Sequence, residues 1–102
     1  MSSRCREKLR AALYCLAVRE GDVRERLKGA HRYLRMLSEE ELPQELREEW
    51  SSILSQLIRR GPELGPQGEV YKTALDHTLG SIKNVTGRRI AERIYALAQN
   101  AK

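Results

Sequence analysis

Phenylalanine is absent from this chain, and Trp50 is its one tryptophan. A core must therefore be built from aliphatic side chains, chiefly leucine. Cysteine is scarce as well. Cys5 and Cys15 fall on one helical stretch, where ten residues rise about 15 Å. An intrachain disulfide needs Cα atoms within roughly 7 Å. The two read as reduced, packed thiols, as in a reducing compartment. Neither C-x-x-C nor H-x-x-x-H spacing occurs, so no metal site and no cofactor is expected. No apolar run approaches the ~20 residues of a membrane span. The opening MSSRCREKLR leads into AALYCLAV, which meets charges at once and lacks the cleavage site of a usual signal peptide. The expectation is a cytoplasmic protein with no membrane partner. GPELGPQG, Gly61 to Gly68, lacks the G-x-x-x-x-G-K-S/T pattern of a phosphate loop. Strand-type alternation and internal repeats are missing, and no strand is expected.

What the chain has is helix period. Its 102 residues allow one domain with a modest core. With 40% hydrophobic and 32% charged residues it is globular rather than disordered. The expected fold is all-α: a compact bundle of about five helices, at about 3–20, 23–37, 43–60, 69–83 and 87–100, with antiparallel neighbours. In the first, Cys5, Leu9, Ala12, Leu13 and Leu16 share a face. Tyr14 and Val18 point away from it, so this helix is apolar on two sides and offers an oligomer interface. Gly21 is expected to cap its end. Asp22 opens the second helix, with Glu25 at capping-box spacing. There Val23, Leu27, Ala30, Leu34 and Leu37 form a buried stripe. Ser38 and Glu41 repeat the box before a short helical turn at 39–42. Pro43 then starts a third helix with Leu46, Trp50, Ile53, Leu54, Leu57 and Ile58 inward. Gly61 and Pro62 stop it. The fourth helix is expected to turn in Tyr71, Ala74, Leu75, Thr78, Leu79 and Ile82. The fifth, with Thr86 as N-cap, turns in Ile90, Ala91, Ile94, Tyr95, Leu97 and Ala98.

The net charge of +5 is unevenly spread, with basic flanks around an acidic middle, SEEELPQELREE. Such a balance favours an anionic partner, either nucleic acid or an acidic protein. Arg24, Lys28, Arg32 and Arg35 fall on one arc of the second helix. Lys83, Arg88, Arg89 and Arg93 gather around the start of the fifth, where backbone N–H groups already favour anions. These eight are the candidate anion- or nucleic-acid-binding residues. Helices four and five also form a candidate helix-turn-helix with Gly87, Arg88, Arg89 and Arg93 as reading edge. The alternative for the basic stripe is a solvated face, or internal pairing with the acidic middle. Asp76 and His77 diverge on a helix, and the glutamates of the middle have no imposed coordination shell.

Arg26, His31 and Tyr33 stand in the order R-x4-H-x-Y. That order resembles the motif of the HEPN superfamily, small helical proteins of which many are metal-independent ribonucleases acting at a dimer interface. The resemblance implies that Arg26 stabilises phosphate charge, His31 does acid–base chemistry and Tyr33 supports the site. It covers eight residues, and Leu27 follows Arg26 where the family usually has a polar residue. Read from periodicity alone, His31 is a partly buried side chain beside core leucines, bordered by Arg26 and Tyr33. The leading functional expectation is a non-enzymatic binding module with a basic surface. The alternatives are a homo-oligomeric adaptor (a homodimer through Tyr14 and Val18) and the HEPN-like ribonuclease.

Overall fold

Three of the five helices start where a side chain satisfies free backbone N–H groups. In a computed structural model, which describes residues 2–101, the Ser2 hydroxyl accepts from the Cys5 N–H at 3.1 Å and opens α1, Ser3–Val18. Asp22 accepts from the N–H groups of Arg24 and Glu25 at 3.0 and 3.3 Å and opens α2, Val23–Leu34. The link between them passes through Gly21 at φ +99, where a Cβ would lie 2.7 Å from that of Glu25. A short 3₁₀ turn, Glu39–Glu41, is held by the Ser38 N–H donating to Glu41 at 2.8 Å. Pro43 then precedes α3, Gln44–Leu57. Thr73 accepts from the Asp76 N–H at 3.2 Å and opens α4, Ala74–Ser81, and α5 spans Asn84–Asn100. The fold is an all-α bundle, as periodicity requires.

The second helix lies at its centre. Leu27, Ala30 and Leu34 have no exposed surface, and α2 touches α1, α3, α4 and α5. Its approach to α1 is close because Gly29 has no side chain: a Cβ there would lie 3.0 Å from that of Cys15. Its approach to α5 depends likewise on Gly87, where a Cβ would sit 2.9 Å from Val23 Cγ1. Trp50 Nε1 donates to the Leu34 carbonyl at 3.1 Å and fixes α3 to the end of α2. Ile53, Leu57 and Ile94 are buried as well. Burial raises the pKa of the Cys5 thiol, and Glu41 raises it further, as suits a packing residue.

The structure departs from the sequence expectations at element ends. α1 stops at Val18, with Arg19 already extended, so Gly21 belongs to the link and not to the cap. α2 ends at Leu34, yet a tightened turn, Leu37 N–H to the Leu34 carbonyl at 3.3 Å, still buries Leu37. α3 ends at Leu57, leaving Ile58 exposed. The segment expected to begin the fourth helix is instead a hairpin strand. β1, Glu63–Leu64, pairs antiparallel with β2, Val70–Lys72. Gly68 at φ +82 turns the chain, and a β-branched and an aromatic residue follow it, which suits extended backbone. Tyr71 is accordingly 72% exposed and takes no part in the α4 face. α5 begins at Asn84 with Lys83 as N-cap, so Thr86 lies inside its first turn. Tyr95 is exposed where periodicity turns it inward. Among the described residues no helix is long and apolar enough to cross a membrane.

Truncating the central stripe should be costly. Leu34→Ala is expected to lower stability by about 2–5 kcal/mol, read as a lower urea midpoint with an unchanged slope.

Candidate functional site

The basic stripe of α2 is divided by its neighbours. Arg24 donates to Asp22 at 2.8 Å and to the Ile82 carbonyl at 3.3 Å, tying the start of α2 to the end of α4. Its hydrogen bonds hold the Asp22 carboxyl below the usual carboxylate range. Lys28 Nζ lies 3.1 Å from Glu25 and 3.2 Å from Asp76. The bond to Glu25, helped by Asp76, raises its pKa. These groups and Leu79 line a cleft of about 340 Å³ between α2 and α4, walled by charges that already have partners. Arg32 and Arg35 are exposed.

The second basic cluster is divided in the same way. Arg93 grips Glu49 of α3 with two nitrogens, at 2.9 and 2.7 Å, and reaches Ser52 at 2.9 Å. Those bonds lower the Glu49 pKa. Lys83, Arg88 and Arg89 are exposed. Packing of Gly87 on Val23 and Arg24 brings the starts of α2 and α5 side by side, so the two clusters adjoin there. The same packing buries Gly87, which with Arg93 removes half of the reading edge expected for a helix-turn-helix. Internal pairing is real, but its partners are not those expected. The acidic middle meets α1, through Arg4 and Glu41, and α5, through Arg93 and Glu49. The α2 stripe uses Asp22, Glu25 and Asp76.

Arg26, His31 and Tyr33 do not converge. Arg26 Nε donates to the Arg19 carbonyl at 3.2 Å. His31 is half-buried, and burial followed by the Arg35 charge lowers its pKa. It lies about 140° round the helix from Arg26. Tyr33 packs against the core beneath the Lys8 ammonium, 5.9 Å from its ring centre.

An open, largely apolar surface lies elsewhere, along the seam of α1 and α5. Leu13, Leu16 and Ala17 face Arg88, Ala91, Glu92 and Tyr95 across a groove of about 430 Å³. A second groove, about 330 Å³, continues it between Arg6, Leu9, Arg10 and Leu13 on one side and Ala98 and Ala101 on the other. Leu13 belongs to both. The start of α1 thus meets the end of α5, and the helices run antiparallel. Tyr14 and Val18 stand on the outer shoulder of α1, roughly 60° and 100° round from Ala17, and are 68% and 55% exposed. Sequence reasoning marked α1 as two-sided but missed the α5 wall. The signal was present in the small residues Ala91 and Ala98 bordering Tyr95.

No family model matches the chain, and neither a similar curated protein nor a similar solved structure is found. The R-x4-H-x-Y resemblance therefore rests on its three residues.

The lowered His31 pKa makes a pH prediction. Below about pH 6.5 the unfolded chain binds a proton that the folded chain resists, so this group favours folding above that pH and ceases to on acidification. The urea midpoint should fall between about pH 7 and 5.5, and less steeply in His31→Gln.

Proposed function

We propose that the chain is a non-enzymatic protein-interaction module whose α1–α5 face receives an acidic protein partner. The observation that carries this reading is the open groove floored by Leu9, Leu13, Leu16, Ala91 and Ala98 and bordered by exposed Tyr95. Contiguous exposed apolar surface with a polar rim is typical of protein contact sites. The rim here is mainly basic, which keeps the anionic character expected of the partner. A nucleic-acid reading has its own support in Arg32, Arg35, Lys83, Arg88 and Arg89, which form no ion pair among the described residues. A ribonuclease has less, because Arg26 is engaged and His31 is half-buried and disfavoured as a cation.

Peptide-display selection on the immobilised chain, with counter-selection on Tyr95→Glu, separates these readings. The expected outcome is a set of acid-rich binders that lose affinity for the variant. Enrichment that ignores Tyr95→Glu would count against the proposal. In parallel, labelled duplex DNA and RNA are titrated at about 50 and 200 mM salt. Binding that falls by orders of magnitude across that range, survives Tyr95→Glu and is lost in Arg32→Glu/Arg35→Glu would replace the proposal with the nucleic-acid reading.

A further inference from the structure

We infer that the occupant of the α1–α5 seam is a single amphipathic helix with acidic residues along its flank. The inference rests on the interaction-module reading and specifies what the groove takes. Three observations lead to it.

The first is shape. The two grooves share Leu13 and form one trough along two antiparallel helices. From Arg6 to Ala17 it runs about 17 Å along α1, or about three helical turns. A trough between two helices is matched by the side-chain ridge of a third helix. An extended strand would leave one row of backbone groups over apolar surface with no sheet edge to pair with.

The second is floor composition. Leu9, Leu13, Leu16 and Ala17 on the α1 side face Ala91, Ala98 and Ala101 on the α5 side. The small residues let a helix backbone come close on the α5 side, and the leucines of α1 offer ridges for its apolar stripe. Anchors spaced i, i+3, i+4 and i+7 on an incoming helix fit such a surface.

The third is charge. Arg6 and Arg10 line one end of the trough, and Arg88 and Glu92 the other. None of the four is in an ion pair among the described residues. Three cations against one anion select an acidic flank. They also disfavour a second copy of this chain as occupant, since it would bring the same cations to the same rim. Glu92, one turn from Arg88, leaves room for one basic residue of the incoming helix at that end, which gives the site a polarity.

The test uses the full chain and two synthetic helical peptides of about 16 residues with the same leucine stripe. One carries Glu on its flanks and the other Lys. Affinity is read by fluorescence anisotropy, and location by amide chemical-shift changes in the labelled protein. The Glu peptide should bind about tenfold or more tightly than the Lys peptide, the sum of two or three screened charge pairs. Its shifts should centre on Leu13, Ala91, Tyr95 and Ala98. In Arg6→Glu/Arg10→Glu, two exposed changes that leave the core untouched, the preference should reverse. Equal binding of both peptides, no binding of either, or shifts centred elsewhere would overturn the inference. So would a dimer by sedimentation that Tyr95→Glu dissolves, since a second copy would then fill the trough. Display binders that depend on Tyr95 but are not helical would sink the helical occupant alone and leave the interaction module standing.

Discussion

The apolar stripe of α2 has to be covered on nearly every side, and this requirement places the other four helices. Leu27, Ala30 and Leu34 are fully enclosed. A chain without phenylalanine cannot enclose them with a few large rings, and it uses two close backbone approaches instead. Gly29 lets α1 in against Cys15, and Gly87 lets α5 in against Val23. The core is correspondingly thin. The molecule measures 46 × 26 × 18 Å, and its shortest dimension is about two helix diameters. With so little depth, a helix on one side of the core is also at the surface on its other side. The open outer face of α1 follows from this geometry.

Charge is used mainly for positioning. The pairs Arg24–Asp22, Lys28–Asp76 and Arg93–Glu49 each stand where two elements meet or a helix begins. Partly exposed pairs of this kind contribute little net stability. Their role is to set helix ends and register, as Arg24 does by reaching the Ile82 carbonyl. The cations outside ion pairs among the described residues include Arg6 and Arg10 of α1, Arg32 and Arg35 at the end of α2, Arg59 and Arg60 after α3, and Lys83, Arg88 and Arg89 at the start of α5. Of these, Arg6, Arg10 and Arg88 line the α1–α5 trough, a grouping that the sequence order of the residues does not display.

Much of the fold was legible because burial imposes a period. The spacing of Leu27, Ala30, Leu34 and Leu37 admits one helical face, and that face is buried. Asp22 is recognisable as a cap because its side chain acts on N–H groups two and three residues away. The hairpin was not legible. Tyr71, Leu75, Thr78 and Ile82 satisfy a helical frame, and only Gly68 and the cap at Thr73 limit it. Strand preference depends on neighbours that a local reading does not see. For the same reason the basic clusters looked freer than they are. Lys28 finds Asp76, and Arg93 finds Glu49, across the fold and not along the chain. The candidate groove is half visible: α1 shows a second apolar side through Tyr14, while periodicity turns its partner wall on α5 inward at Tyr95, which is exposed.

Leu13 and Leu16 close the core from one side and floor the trough from the other. Occupancy of the trough and folding of the chain are therefore thermodynamically linked. A ligand present at a hundred times its dissociation constant adds about 2.7 kcal/mol to the stability of the state that binds it, a large share of what a small domain possesses. With the proposed partner in the trough, the lifetime of the protein would rise and fall with the supply of that partner. An unaccompanied chain would unfold more often and be cleared sooner by proteolysis, so that abundance tracks complex formation without any dedicated regulatory element.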